Sequence, residues 1–235
     1  MRFQRTLFAA LGLAAALLVS APAHAVGNAP GAVGGTPPSV VGGGYSSYTY
    51  GAVKQFRNGA EWCTASQIAP SWILTAQHCV SASASYSYRI GSTDAYSGGT
   101  TVTASYVYQH PQADLALVQL SRPVSGTYTR LGSTSVGQNA QIYGWGSTCP
   151  SDQCQSRYLK YANTRVFSTN SRDGRGGVAI GVQRVDGIIA GGDSGGPVFA
   201  GGYQVGVAST SDRANYAYYT STTAYRSWIR NISGV

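Results

Sequence analysis

Acidic residues are scarce in this chain. Eight Asp and Glu stand among 235 residues against sixteen Lys and Arg, and charged residues of both signs make up only 10% of the composition. The acids are scattered, so no calcium cage is expected, because such a cage gathers several carboxylate and carbonyl oxygens around one ion. Histidine is scarcer still, with three residues, and cysteine numbers four. The cysteines do not form two close pairs, which argues against the common structural zinc modules. Beyond Ala25 no apolar run approaches the roughly 20 residues that a membrane-crossing helix needs.

The one long apolar run, from Leu7 to Val19, follows Arg2 and Arg5 and leads into "APAHA", a small-x-small pattern ending at Ala25. A basic start, a short apolar stretch and a small-residue cleavage site define a secretory signal peptide over residues 1–25, and the run is too short for an anchor. Residues 26–39, "VGNAPGAVGGTPPS", hold glycine, proline and small side chains with little to bury, and are expected to be a leader without a fold of its own. The formal net charge is +8, and losing Arg2 and Arg5 with the signal leaves about +6. Arg157, Lys160, Arg165, Arg172, Arg175 and Arg184 concentrate this surplus. With no nucleic-acid motif beside them and an exported chain around them, they are expected to form a solvated basic face.

After Val40 the texture changes to short apolar or alternating runs separated by turn residues: "SWILTA", "TVTASYVY", "LALVQL", "AQIYGW", "GVAIGV", "PVFAGG" and "YQVGVAS". Runs of this length, rich in β-branched and aromatic residues, predict an all-β sandwich or barrel. Only the end, "TAYRSWIRNI", places Tyr225, Trp228, Ile229 and Ile232 on one helical face, which predicts a terminal packing helix. The four cysteines, Cys63, Cys79, Cys149 and Cys154, lie in the exported part, where an even count implies two disulfides in any of three pairings.

Residues 191–197 read "GGDSGGP". Glycine permits backbone conformations closed to other residues, so this stretch is suited to hold Ser194 at an exposed bend. A serine becomes a useful nucleophile only when a neighbouring base takes its proton. Without the signal peptide, the histidines are His78, in "LTAQHCV", and His110, in "YQHPQADLALVQL". His110 precedes a proline and is expected to be a polar surface residue in a turn; His78 is the candidate base. A base histidine works best when an acid holds its second ring nitrogen. Asp114 opens "DLALVQL", whose apolar residues would draw the carboxylate inward, where it needs a partner.

"WILTAQHCV", "DLALVQL", "IYGWGST" and "GGDSGGPV", in that order, resemble the landmarks of the trypsin and chymotrypsin family of serine proteases. "VVGGG" at Val40 is similar to that family's mature amino terminus, and "AYRSWIRNI" to its closing helix. The resemblance runs from Val40 to near the end and implies two six-stranded antiparallel β-barrels with the site in the cleft between them. It implies His78 as general base, Asp114 as its orienting acid, Ser194 as nucleophile, and the backbone N–H groups of Gly192 and Ser194 as the oxyanion hole. Ser209 matches the serine beside the catalytic aspartate, and Thr210 and Ser211 the segment that pairs with substrate. Asp193 matches the residue that binds a new amino terminus, here Val40 after cleavage following Ser39, so a zymogen is implied. No cofactor or metal is called for. Protein or peptide substrates, protease inhibitors as possible partners, a monomeric state, and no nucleic-acid or membrane partner complete the expectation.

Departures from the family pattern bear on specificity. The resemblance pairs Cys63 with Cys79, which leaves Cys149 and Cys154 to close a small loop after "GWGST" that is not a familiar family position. The disulfide framing the specificity pocket is absent. The pocket-floor position holds Ile188, and Ser211 and Ala217 match its walls. An apolar floor cannot pair a substrate Lys or Arg, so cleavage after apolar or aromatic residues is expected. Asp186 or Asp212 reaching into a rearranged pocket would instead favour basic residues. Two further readings are the same fold without catalysis, and an exported binding module using the 17 tyrosines.

Overall fold

The computed structural model describes residues 43–148 and 154–235. Val40, Cys149, the signal peptide and the leader lie outside the described residues. A two-residue strand, β1 (Gly44–Tyr45), pairs antiparallel with Lys160 and Tyr161 of the second of two barrels.

The first barrel is built from β2 (Ala52–Arg57), β3 (Ala60–Ala69), β4 (Trp72–Thr75), β5 (Tyr86–Ile90), β6 (Thr100–Gln109) and β7 (Ala116–Leu120). Every pairing is antiparallel and the sheet closes in the order β2-β3-β4-β7-β6-β5. Closure removes the exposed sheet edges that would otherwise invite intermolecular pairing. Val53, Ala65, Ile73, Tyr88, Val102, Ala116 and Val118 fill its interior.

The second barrel comprises β8 (Asn139–Gly144), β9 (Lys160–Arg172), β10 (Val178–Arg184), β11 (Pro197–Ala200), β12 (Tyr203–Ser211) and β13 (Tyr216–Ser221). Its order, β9-β10-β13-β12-β11-β8, closes through antiparallel pairing of β8 with β9. Ile142, Val166, Ile180, Val182, Ile188, Val198 and Tyr219 belong to its core. A third cluster, containing Cys63, Leu74, Ala113, Leu117 and Val207, joins the barrels and receives the terminal helix α1 (Arg226–Ser233). Ile229 is fully buried there, with Trp228, Tyr225 and Ile232 packed around it, as the spacing predicts. Gly234 ends the helix at φ 78° and donates its N–H to the Arg230 carbonyl, a glycine stop.

Candidate active site

The apolar strand β4 delivers the chain into a short 3-10 turn, Gln77–Cys79. Cys79 is disulfide-bonded to Cys63 on β3, which fixes that turn to the barrel wall. His78 sits between these anchors, with its side chain 41% exposed. Beside it in the barrel, β7 pairs with β4, and the loop that joins β6 to β7 carries Asp114, which is 2% exposed. The Asp114 carboxylate accepts the His78 backbone N–H at 2.9 Å on one oxygen and pairs with the ring Nδ1 at 2.7 Å on the other. Ser209 Oγ donates to that second oxygen at 2.6 Å. Burial pushes the Asp114 carboxyl up, but hydrogen bonds and charge from His78 and the bond from Ser209 outweigh it and hold the group below the ordinary carboxylate range. An ionised carboxylate only accepts, so Nδ1 is the donor in this contact, and in the neutral imidazole that tautomer leaves Nε2 as the acceptor.

Ser194 lies on the tight loop entering β11. The Ser194 carbonyl accepts the Thr64 N–H at 2.9 Å, and the next residue, Gly195, donates to the Ala208 carbonyl at 2.8 Å. Thr64 adjoins the disulfide beside His78, and Ala208 adjoins Ser209, so the loop is tied to both histidine and aspartate supports. Gly195, at φ 80°, has no room for a side chain, because a β-carbon would strike Thr75 Oγ1 and the Thr64 carbonyl. Gly192, at φ 93°, packs against the Gln155 amide, and its carbonyl accepts the Thr64 hydroxyl at 2.9 Å. Among the described residues no hydrogen bond joins Ser194 to His78.

Asp193 is fully buried and accepts the N–H groups of Gly146 at 2.7 Å and Ala190 at 2.9 Å. The glycines of "YGWGS" make its slot: a β-carbon on Gly144 or Gly146 would collide with the carboxylate. Burial pushes its pKa up to about 6. No ion pair reaches it among the described residues; the charges of Lys54 and Lys160 favour its ionised form but do not outweigh burial.

In the specificity region, Ser211 and Ala217 face each other across the β12–β13 pair, and Thr210 is exposed beside them. Ile188 is fully buried in the second-barrel core with Ala217 and Tyr219. The Ser211 hydroxyl donates to the Ile189 carbonyl at 3.5 Å, which ties this wall to the backbone beside the Ile188 floor. Asp186 is committed to Asn163, whose backbone N–H and side-chain amide it accepts. Asp212 accepts the N–H groups of Ala214, Asn215 and Tyr216 in its own turn. Both acids are exposed. Cys154 is disulfide-bonded, and its expected partner Cys149 lies outside the described residues.

His110 is not the surface residue the sequence reading expects. It is 8% exposed, its ring packs against Tyr225 and Trp228, and Nδ1 accepts the N–H groups of Gln112 and Ala113 at 3.2 and 3.0 Å. The aromatic face of α1 covers it, which the local turn motif gives no means of foreseeing. Three other residues escape sequence reasoning. Lys54, fully buried on β2 with its pKa lowered to about 8 by burial, donates to Gln155, the residue against Gly192. Asp173 contacts the Asp114 backbone from a hairpin turn. Only "DG" at residues 173–174 hinted at that turn.

A family model described as Trypsin matches residues 41–229. A peptidase of Corynebacterium glutamicum is 32% identical over 97% of this chain and 81% of its own length. Trypsin delta of Drosophila erecta is 29% identical over 74% of this chain and 79% of its own. Among solved structures, a scabies mite inactivated protease paralogue superposes with a TM-score of 0.73 at 22% identity, over 83% of this chain and 97% of that one. Human heparin binding protein superposes at 0.70 with 21% identity over the same shares. The two barrels are the fold shared with these structures, and with the family model spanning both of them the chain belongs to the trypsin family.

Proposed function

We propose that the chain is an exported serine endopeptidase, made with a leader and activated by cleavage before Val40. The observation that carries this reading is the Asp114 carboxylate, which holds both the His78 ring and its backbone while Ser209 bonds the same group. His78 Nε2 takes the Ser194 proton as Oγ attacks the scissile carbonyl. The imidazolium, stabilised by Asp114, then returns that proton to the leaving amine, and water repeats the cycle on the acyl-enzyme. The N–H groups of Gly192 and Ser194 stabilise the oxyanion, a contribution of about 3 to 4 kcal/mol per donor. The site requires no metal.

Activation is read from Asp193, a buried carboxylate without an ion pair among the described residues. The α-ammonium of Val40 would supply its counter-ion and order the Gly192 loop. Specificity is read from Ile188: it puts an apolar side chain at the floor, Asp186 and Asp212 are bonded elsewhere, and apolar or aromatic substrate side chains fit such a floor best.

The test is hydrolysis of peptide amides that differ only in Phe, Leu, Ala or Arg at the cleaved position, by protein starting at Val40 and by its Ser194→Ala variant. Phe or Leu is expected to be cleaved fastest and the variant to be inactive. Fastest cleavage after Arg would overturn the specificity reading, and activity in the variant would overturn the mechanism.

A further inference from the structure

The β9–β10 hairpin turns at residues 173–177, "DGRGG". Asp173 caps this turn in the usual way for an aspartate: one carboxylate oxygen accepts the N–H groups of Arg175 at 2.9 Å and Gly177 at 2.8 Å. Its other oxygen turns away from the hairpin and accepts the backbone N–H of Asp114 at 2.9 Å, together with the Thr220 hydroxyl at 2.9 Å. Asp173 is 6% exposed, so these four bonds are made out of water. Thr220 Oγ also lies 3.1 Å from the Asp114 carbonyl, bridging the two acids.

The next residue makes a second tie. Gly174 donates its N–H to Ser209 Oγ at 3.0 Å. That hydroxyl has one hydrogen, and with its lone pair occupied from behind, the hydrogen points at the Asp114 carboxylate 2.6 Å away. The turn also fits closely: a β-carbon on Gly177 would lie 2.6 Å from the Asp173 carboxylate and 2.7 Å from Ala113 Cβ. The hairpin tip therefore meets Asp114 twice, through its own N–H and through the serine that bonds its carboxylate.

We infer that Asp173 is a positioning residue for the triad, a second buried carboxylate that clamps Asp114 and, through Gly174, sets the direction of the Ser209 hydroxyl. This role rests on the reading of the chain as a serine peptidase. Both Asp173 oxygens accept backbone N–H groups, so an asparagine there must turn its NH2 toward one of those donors. The negative charge matters separately. Asp173 stands behind the His78–Asp114 pair, and the other titratable groups packed near it are His110 and Tyr225. Asp173→Asn takes away a negative charge behind that pair, so the acid limb of activity is expected to move to lower pH.

The experiment compares Asp173→Asn and Asp173→Glu with the parent, all starting at Val40, with rates expressed per competent site by titration with a serine-directed phosphonate. Asp173→Asn is expected to lose about tenfold or more in kcat with KM nearly unchanged, as one buried backbone donor is left facing another donor, and to shift the acid limb of kcat/KM downward. Asp173→Glu keeps the charge but not the geometry, so kcat falls while the acid limb stays. Parental kcat and pH profile in Asp173→Asn would overturn the role. Should Asp173→Asn fail to fold, Thr220→Val decides instead, because it removes the hydroxyl bridging Asp173 to Asp114: a several-fold fall in kcat at constant KM supports the clamp, and no change overturns it. Ser194→Ala runs in parallel. Activity there would overturn the peptidase reading and this role with it, whereas an inactive Ser194→Ala beside an unaffected Asp173→Asn overturns the role alone.

Discussion

Asp193 is fully buried, accepts two backbone N–H groups and has no ion pair among the described residues. Its carboxyl titrates near pH 6 because burial disfavours the charged form. An unfolded aspartate titrates at about 3.9, so between those values the folded chain holds a proton that the unfolded chain has released. The contribution of Asp193 is therefore full below pH 4 and is lost as pH rises through 6, by about 3 kcal/mol at roughly 1.4 kcal/mol per pH unit. Denaturant unfolding of the uncut chain, in a Ser194→Ala background, against the same chain with Asp193→Asn, isolates this term because every other carboxylate is shared. The parent is expected to lose ground to Asp193→Asn between pH 4 and 7; a gap independent of pH, or one that moves the other way, contradicts the account. At this scale the sequence was legible wherever chemistry and local motif coincide. His78, Asp114, Ser194 and Ser209 each sit in a recognisable stretch, and three of them share hydrogen bonds in the structure. Asp173, Gln155 and Lys54 were illegible because their roles come from contacts with residues far along the chain: 59 positions separate Asp173 from Asp114, and 101 separate Lys54 from Gln155.

Among the elements, the β3–β4 region shows how the chain holds a reactive histidine still. The Cys63–Cys79 bridge spans a sequence separation of 16, ties the 3-10 turn to β3 and encloses β4. Closing a loop of that length removes unfolded-state freedom equivalent to about 3 kcal/mol. The paired variant Cys63→Ala with Cys79→Ala is expected to lose about 2 to 4 kcal/mol in chemical denaturation, with kcat falling more than KM rises because His78 adjoins the lost bond. Unchanged stability and unchanged kcat would contradict that role. The strands β4, β6, β7, β8, β10, β11 and β12 were readable as short apolar or alternating runs. β9 was not: its thirteen residues, "KYANTRVFSTNSR", bury Ala162, Thr164 and Val166 on alternate positions, but small and polar side chains hide the alternation. β2 was hidden for another reason, since Lys54 and Gln55 are buried where hydropathy expects exposed residues. Lys54 is tolerated inside because its ammonium bonds Gln155 and lies 3.5 Å from Glu61.

For the molecule as a whole, two closed barrels bring together loops from opposite halves of the chain. The first barrel supplies His78 and Asp114, and the second supplies Ser194, Ser209 and the Asp173 turn. Thr64 and Thr220 stitch the halves at the site: the Thr64 backbone and hydroxyl hold the loop of Ser194, and the Thr220 hydroxyl reaches the Asp114 carbonyl. Catalysis on this account is a property of that seam, and cleavage before Val40 completes it by giving Asp193 its cation. The most direct test of the central claim is labelling by a serine-directed phosphonate carrying an apolar side chain, followed by peptide mapping, on protein starting at Val40 and on the uncut chain. The account predicts a single adduct on Ser194 that requires His78, formed far more slowly in the uncut chain. Folded protein starting at Val40 that takes no label, or takes it at another residue, would contradict the account.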